Sequence, residues 1–277
     1  MPTLTILIVN YNGLKFLPAC LDSIARHVQY DHEVIVVDNA SSDGSPEFLG
    51  TKYPNIKLIR NPTNSGFAAG NNLGAANAKG EYLLLLNNDT VLLNDLSPAI
   101  ELVENNPGIG IVTVKMVDSN NEWRSSTGWY PSPFRLTKFS LILQSPQYLT
   151  NALKDKPYCR VDWAQGSFLL MKSERYKQLG GLDEGYFMYV EDVDLCKSAA
   201  NIGLATVFCP AVTYLHFGGF EPARWYRLYD GFRRYHQKFS STLVKAAAIL
   251  VLEVGKVARI AVYGDKLGLR DKSSETR

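Results

Sequence analysis

The chain has 277 residues, of which 46% are hydrophobic and 20% are charged, so it is long enough to bury one large core or two smaller ones. This composition excludes a disordered chain, a collagen-like repeat and a small disulfide scaffold. Residues 224–277 carry 12 Lys or Arg against 5 Asp or Glu, while residues 1–223 carry 17 against 22, a pattern that argues against a nucleic-acid surface on the body and for an anionic partner at the tail.

The first part of the chain alternates predicted strands and helices. Short apolar runs predict strands at Leu4–Val9, Val34–Val37, Ile56–Ile59 and Tyr82–Leu86. Helical spacing of apolar residues follows at Phe16–Val28, and an Ala- and Asn-rich helix follows at about Gly66–Lys79. This alternation is typical of an α/β fold with a mainly parallel sheet that is covered on both faces.

Polar clusters follow the predicted strands at the points where they end. These clusters are Asn10–Asn12, Asp38–Asp43, Asn64–Gly66 and Asn87–Asp89. Ligands of such sheets bind beyond the carboxyl ends of the strands. The clusters therefore predict one site along that edge.

The second half is less regular. Residues 119–160 are rich in Ser, Pro and aromatic residues and favour a mobile loop region, and Val161–Lys172 is predicted to be a strand that carries Trp163. A helix from Ser173 ends at Gly180 and Gly181, before an aromatic run that leads to Glu191.

The basic tail contains a helix-like segment from Leu243 to Tyr263. Its four charged residues fall on one stripe and leave a wide apolar face: Lys245, Glu253, Lys256 and Arg259. Residues 240–277 therefore resemble an interfacial helix on anionic lipid. The alternative is a helix that packs on the rest of the protein or in a homodimer.

We predict neither an export signal nor a membrane span. The first residues lack a basic start, the first apolar run ends at Val9, and no stretch has 18 uncharged apolar residues. The four cysteines show neither close pairing nor zinc-ligand spacing, which favours reduced, mostly buried thiols in a cytosolic protein.

Two carboxylates follow predicted strands. Asp89, the only carboxylate of Asn87–Thr90, could hold Mg²⁺ or Mn²⁺ together with a diphosphate, or it could simply form a turn. Asp38 could accept a hydrogen bond from a nucleobase or a ribose, or it could make an Asx turn. For Asp43, a turn or helix cap is the favoured interpretation.

Three further features carry chemistry. The loop around Gly66 opens a helix and would let backbone N–H groups approach a phosphate. Glu191, Asp192 and Asp194 crowd together, so repulsion raises the pKa of at least one carboxyl, as a general base requires, although a charged helix start would look the same. A lone His216 could be a ligand or a core residue.

Taken in order, these segments resemble the inverting family 2 glycosyltransferases of the GT-A fold, and most of all their rhamnosyltransferase-like members. The resemblance covers roughly residues 3–220 and rests on six segments: Ile6–Asn12, Val36–Ser45, Asn64–Phe67 with Gly70 and Asn71, Leu86–Thr90, Gly180–Asp183 and Phe187–Leu195. The family's DxD-type motif has one carboxylate here, a form that the rhamnosyltransferase-like relatives share.

The resemblance implies a GT-A catalytic domain at residues 1–220 and a basic helical extension at 221–277. Within the domain, residues 1–90 would form the Rossmann-like half that binds the nucleotide-sugar and residues 91–220 the half that binds the acceptor.

The resemblance also implies roles for single residues. Asp192 would be the catalytic base, with Glu191 as its competitor, and Asp89 would bind the metal with help from His216. Trp163, as a stacking platform or as a core residue, and Gly166 would lie at the acceptor. The remaining implied nucleotide-sugar contacts are Asn10, Tyr11, Asn12, Asp38, Gly66, Asn71, Asn88 and Asp89.

The implied reaction is transfer of a sugar from a nucleotide-diphosphate donor, dTDP-rhamnose or a UDP-sugar, to a saccharide or lipid-linked acceptor. We expect a cytoplasmic protein, peripheral on the inner face of the membrane if the tail binds lipid. Two alternatives stay open: a sugar-1-phosphate nucleotidyltransferase, and a catalytically inactive sugar-nucleotide-binding scaffold.

Overall fold

The computed structural model describes residues 3–218 and 224–263, with side chains described to residue 259. The strands are β1 (Leu4–Asn10), β2 (His32–Asn39), β3 (Lys57–Asn61), β4 (Tyr82–Leu86), β5 (Thr90–Leu92), β6 (Ile109–Val117), β7 (Trp123–Arg124), β8 (Thr127–Gly128), β9 (Cys159–Val161), β10 (Trp163–Ala164), β11 (Phe168–Lys172) and β12 (Ala205–His216).

A short 3₁₀ helix spans Phe139–Ile142. The α-helices are α1 (Leu17–His27), α2 (Ser45–Lys52), α3 (Gly66–Ala75), α4 (Ser97–Asn105), α5 (Pro133–Leu136), α6 (Pro146–Leu153), α7 (Ser173–Gln178), α8 (Glu191–Asn201), α9 (Arg224–Phe239) and α10 (Thr242–Tyr263).

The central sheet has the strand order β3-β2-β1-β4-β11-β6-β12-β5. Strands β3, β2, β1 and β4 are parallel neighbours, as are β6 and β12, and the antiparallel β11 joins these two groups. The predicted α/β architecture with a mainly parallel central sheet is confirmed. The inserted β11 brings the residues before it to the edge where β4 ends.

Successive side chains of the strands enter two cores on opposite faces of the sheet. Ile6 and Ile8 pack with α1, whereas Leu7 packs on the other face near α3. On that second face lie Tyr229 and Phe232 of α9, so the start of the C-terminal extension contributes to the core. This two-sided burial explains why the strands are continuous apolar runs.

The second half differs in detail from the sequence-based prediction. Val161–Lys172 forms three separate strands because each piece has different partners: β9 pairs with β12, β10 with β8, and β11 with β4 and β6. Residues 119–160, predicted as loop, contain β7, β8, α5, the 3₁₀ helix and α6. Helices α5 and α6 are short, and each begins with a serine cap followed by proline. Because serine and proline are also typical of loops, the composition of this region predicted a loop.

Candidate active site

Asn10, at the end of β1, joins the polar ends of two neighbouring strands. Its fully buried side chain donates to Asp38 Oδ1 at 2.9 Å and accepts from Asn88 Nδ2 at 2.8 Å. It also donates to Ser41 Oγ and Ser45 Oγ. The polar clusters that follow β1, β2 and β4 therefore converge, as the sequence predicted. The buried Asn10 amide itself is occupied by hydrogen bonds within the protein.

The loop after β2 is built on its own carboxylates. Asp38 Oδ2 accepts a hydrogen bond from the backbone N–H of Ser41, three residues on, at 3.0 Å, so this carboxylate holds the backbone of its own loop. Asp43 accepts hydrogen bonds from the Ser45 hydroxyl and from the backbone N–H groups of Leu14 and Ser45. Burial alone would raise the pKa of Asp43, but these hydrogen bonds, that of the Ser45 hydroxyl above all, outweigh burial and lower it. Its bond to the N–H two residues on is an Asx turn, so the turn interpretation of Asp43 holds, while the N-cap position of α2 is occupied by Gly44.

Opposite this loop lies the exposed turn after β1. Asn12 has a φ of 51°, and its Oδ1 accepts from Ser42 N at 2.8 Å. The neighbouring Tyr11 is 52% exposed. An exposed aromatic ring beside a polar strand end is available to a ligand.

Gly66 allows two loops to meet. It has a φ of +86°, and a Cβ at this position would lie 2.2 Å from the carbonyl oxygen of Phe187. Phe67 N donates to that same oxygen at 2.8 Å, and the buried Asn71 donates to Phe67 O at 2.9 Å. Gly66 and Phe67 thus fix the start of α3 against the segment before α8, while Asn71 bonds back to the first turn of its own helix.

Asp89 and His216 meet where β4 and β12 end. His216 Nε2 lies 3.1 Å from Asp89 Oδ1, and both side chains are mostly buried. Phe217 N donates to Asp89 O, which holds the two segments together. A contact that spans 127 residues of sequence joins the two predicted metal ligands.

We tested whether these residues fit a divalent cation. Within residues 3–218 and 224–263, no group of three or more His, Cys, Asp or Glu side chains could hold a metal alone. One carboxylate and one imidazole nevertheless suit a Mg²⁺ or Mn²⁺ ion whose remaining ligands are phosphate oxygens and water. The pair fits a cation that arrives with a diphosphate.

The start of β11 connects this pair to α8. Asn87 N donates to Ser167 O at 3.1 Å, and Ser167 Oγ lies 2.7 Å from the hydroxyl of Tyr214. The preceding residue, Gly166, donates its N–H to Asp192 Oδ2 at 2.9 Å. The strand-end residues and Asp192 therefore border the same edge of the sheet.

Asp192 is a buried carboxylate held by backbone donors. Its Oδ1 accepts from Val193 N at 2.8 Å and its Oδ2 from Gly166 N, while burial raises its pKa despite these hydrogen bonds. A carboxylate fixed in this way, with a raised pKa, is suited to accept a proton.

Glu191, its neighbour, differs in its contacts. Burial, and then the charge of Asp192, raises the pKa of Glu191 well above its usual value. Its Oε2 has no hydrogen-bond partner among the residues that the structure describes. Two adjacent buried carboxylates resist double ionisation, and the two backbone donors on Asp192 favour it as the member of the pair that carries the charge.

Sequence reasoning missed the support behind α8. Tyr189 and Val190 have φ values of 72° and 75°, a conformation that is rare for residues with a bulky or β-branched side chain. Gly231 of α9 packs against them: a Cβ there would lie 2.7 Å from Val190 Cγ2. A glycine within an amphipathic helix was the only signal for this contact in the sequence.

The side chain of Asp194 points away from Asp192 and toward α9. It is buried, accepts from the hydroxyl of Tyr186 at 3.0 Å, and lies 2.7 Å from Lys238 Nζ of α9. This ion pair links α8 to α9.

Trp163 is not a stacking platform in this structure. The ring is 8% exposed, lies against Gly128, and donates its Nε1–H to Trp129 O at 2.9 Å. A ring this deeply buried has no free face for a sugar, and it belongs to the second core, so the alternative of a core tryptophan applies. Gly166 lies beside Asp192, because its backbone N–H donates a hydrogen bond to that carboxylate.

Sequence comparison identifies the family. The model of "Glycosyl transferase family 2" matches residues 5–154, more than half of the chain. An N-acetylglucosaminyl-diphospho-decaprenol L-rhamnosyltransferase of Mycobacterium tuberculosis is 27% identical over 234 residues, which cover 77% of this chain and 75% of the relative. Rhamnosyltransferase WbbL of Escherichia coli is 26% identical over 76% of this chain and 82% of its own length.

Solved structures show the same fold. GalNAc-T7, solved with UDP, GalNAc and Mn²⁺, matches 99% of this chain and 53% of its own, with a TM-score of 0.68 and 16% identity. The mannosyltransferase PcManGT from Pyrobaculum calidifontis, solved with GDP-Man and Mn²⁺, matches 98% of this chain and 81% of its own, with a TM-score of 0.61 and 18% identity. With the motifs and the family match, these likenesses lead to one conclusion: the chain belongs to glycosyl transferase family 2 and is a glycosyltransferase with a GT-A fold.

Proposed function

We propose that the protein is a metal-dependent, inverting transferase that moves a sugar from a nucleotide-diphosphate donor to an acceptor hydroxyl, with dTDP-rhamnose favoured over a UDP-sugar. The two rhamnosyltransferase relatives support this choice of donor. The observation that carries the chemistry is the buried Asp192, which is held by Gly166 on the sheet edge that also bears Asp89 and His216.

In this proposal Asp192 removes the proton from the acceptor hydroxyl as that oxygen attacks C1 of the sugar. The C1–O bond to the diphosphate breaks in the same displacement, so the anomeric centre inverts and no covalent intermediate forms. The backbone N–H groups of Gly166 and Val193 hold the carboxylate in place for this transfer. Glu191 remains protonated beside it.

The donor would lie along the strand ends. Asp38 and the exposed Tyr11 and Asn12 would border the nucleoside, and Asn10 and Asn88 would position them through their hydrogen bonds. Asp89 and His216 would hold the cation, which supplies positive charge to the departing diphosphate.

The proposed acceptor is a saccharide or lipid-linked saccharide in bacterial surface-polysaccharide synthesis. The decaprenol-linked substrate in the name of the M. tuberculosis relative supports a lipid-linked form. The proposed setting is the cytoplasm, at the inner face of the cell membrane.

The test is a panel of nucleotide-sugars and lipid-linked acceptors, read by transfer product and by released nucleoside diphosphate. We expect EDTA to abolish transfer and Mg²⁺ or Mn²⁺ to restore it, because one carboxylate and one imidazole cannot neutralise a diphosphate. Full turnover in chelator would disprove the metal assignment. Release of pyrophosphate from a nucleoside triphosphate and a sugar-1-phosphate would favour a nucleotidyltransferase, and donor binding without turnover would favour an inactive scaffold.

A further inference from the structure

The two helices after residue 220 pack on the rest of the protein. Two charged residues of α10 contact α9: Glu253 pairs with Arg233, and the guanidinium of Arg259 lies 3.8 Å from the ring centre of Trp225. In the part of the chain that the structure describes, no helix is long and apolar enough to cross a membrane. Helix α9 packs in turn against the start of α8, where its Lys238 contacts an acidic residue.

Three carboxylates are buried in the first turn of α8. They belong to Glu191, Asp192 and Asp194. Asp194 accepts a hydrogen bond from Lys238 Nζ at 2.7 Å through Oδ1 and one from the Tyr186 hydroxyl at 3.0 Å through Oδ2. Among the described residues, Lys238 is the only cation that forms an ion pair with any of the three carboxylates. The acidic helix start therefore depends on one lysine of α9 for its neutralising charge.

Lys238 is held in place by a second carboxylate. Its Nζ lies 3.3 Å from Asp183 Oδ2, and Arg234, one turn earlier in α9, donates two hydrogen bonds to the same carboxylate. The side chain of Lys238 is 40% exposed, whereas that of Asp194 is 4% exposed. Substituting Lys238 therefore removes the charge that faces Asp194 without opening the core.

The charge of Lys238 matters because of Asp192. Like charges in one helical turn oppose each other's ionisation. Without a cation, the charge of Asp194 would make it harder for Asp192 to lose its proton, and Lys238 cancels that charge. Because Asp194 is buried, salt screens this pair less than it screens an ion pair in open solvent.

The ion pair also holds the backbone that carries Asp192. Asp194 N donates to Val190 O at 2.9 Å at the start of α8, and Val190 has a φ of 75°. A β-branched residue keeps such a conformation only where its surroundings impose it. Gly231 of α9 packs against Val190, and Lys238, two turns later in the same helix, fixes Asp194.

We propose that Lys238 is a positioning residue for the transfer. Through its ion pair with Asp194, it holds the start of α8 and neutralises the neighbouring acid, so that the negative charge of this turn remains on Asp192. This inference rests on the proposed function, in which Asp192 accepts the proton of the acceptor hydroxyl. It also makes α9 part of the catalytic unit, although the sequence predicted that this unit ends at residue 220.

Titratable and charged groups from three segments surround this pair. They are Glu191 and Cys196 of α8, Tyr186 before it, and Arg234 and Tyr235 of α9. Burial raises the pKa of the Cys196 thiol to about 12, and burial, followed by the charge of Asp194, raises the pKa of both tyrosine hydroxyls. These three groups stay protonated near neutral pH, so an acid limb of the rate profile reports the carboxylates of α8.

The experiment is the pH profile of kcat/KM, measured on the full chain with a donor and acceptor that give transfer. In Lys238→Met the charge of Asp194 is no longer compensated, so the acid limb should move up by about half to one pH unit. In Asp194→Asn the lysine charge remains, so the limb should move down by a similar amount. The combined variant lacks both charges, and its limb should return close to the wild-type position.

Two variants serve as matched controls. Lys238→Arg keeps the charge and should keep the acid limb in place. Lys256→Met removes a lysine of α10 whose ammonium lies over the ring of Tyr226, and it should also leave the limb unchanged. Donor Kd should stay at the wild-type value in every variant. A lysine that only fastened α9 to α8 would produce the same change in Lys238→Met, in Asp194→Asn and in their combination.

NMR titration of aspartate labelled with ¹³C at the carboxyl measures the pKa of Asp192 without turnover, with its signal assigned from Asp192→Asn. The proposal is overturned if Lys238→Met and Asp194→Asn leave this pKa unchanged or shift it in the same direction. Asp194→Asn keeps the size of the side chain, so it decides the question even if Lys238→Met does not fold. Absence of transfer by the wild type with every donor and acceptor would instead contradict the proposed function, and the titration would still decide the coupling.

Discussion

The two sides of the active site are built in different ways. At the ends of β1, β2 and β4, loops and side-chain hydrogen bonds position the residues around Asn10 that we propose to bind the donor. At the start of α8, two buried carboxylates follow residues with positive φ, and α9 supports them from behind. The first side is suited to binding, because it offers many polar groups, and the second to proton transfer, because burial shifts pKa values there.

The largest expected effect is at the second side. Asp192→Asn keeps the size of the side chain but removes the charge that accepts the proton, so transfer should fall by about 10²–10⁴-fold. Donor affinity should barely change, since Asp38 and Asp89 are untouched. Transfer rate and donor Kd, measured on the same preparation, check this prediction. A rate near wild type would show that the base has been assigned to the wrong residue.

A smaller effect is expected from the support behind α8. Gly231→Ala places a methyl 2.7 Å from Val190 Cγ2 and should destabilise the protein by about 1–3 kcal/mol. Transfer should also slow, because a displacement of about 1 Å at a reacting group can cost about 10²-fold.

The matched control for this variant is Gly255→Ala in α10, where the nearest atom to the new methyl is the Tyr229 hydroxyl at 3.3 Å. Alanine is favoured over glycine in a helix interior by about 1 kcal/mol. The control should therefore keep or raise the melting temperature and leave transfer unchanged. Equal behaviour of the two variants would refute a steric role for Gly231.

The smallest effect is expected at the donor side. Asn88→Ala removes one hydrogen bond to Asn10, worth about 0.5–1.5 kcal/mol. Donor Kd should therefore rise up to about tenfold, while the rate at saturating donor stays close to wild type. Calorimetric donor binding together with steady-state kinetics separates the two quantities. A fall in the rate at saturating donor, with an unchanged donor Kd, would show that this side of the site does not act mainly in donor binding.

The difference between the sides also explains what the sequence could predict. Strands β1, β2 and β4 were predicted to within two residues because continuous apolar runs and the polar residues that end them are local signals. The contact between Asp89 and His216 was expected only from the family resemblance. The support of Val190 by Gly231 and the pair of Asp194 with Lys238 depend on packing between segments distant in sequence, which no local pattern encodes.

Trp163 illustrates the same limit. An aromatic residue on a predicted strand fits either a sugar platform or a core position, and only the approach of Gly128 and Trp129 decides between them. The tail shows the reverse case: the charged stripe of α10 was visible in the sequence, but its inward orientation depends on the aromatic residues of α9.

We propose that Asp192 is the ionised member of the acidic pair and that Glu191 is the protonated one. The most direct test of this assignment is the pH dependence of kcat/KM for wild type and Glu191→Gln. Because burial raises the pKa of Asp192, activity should rise with pH above the usual carboxylate range in the wild type. Glutamine imitates a protonated Glu191, so the variant should keep this acid limb and a rate near wild type. Loss of activity in Glu191→Gln, with activity retained in Asp192→Asn, would show that Glu191 is the base and that Asp192 is not.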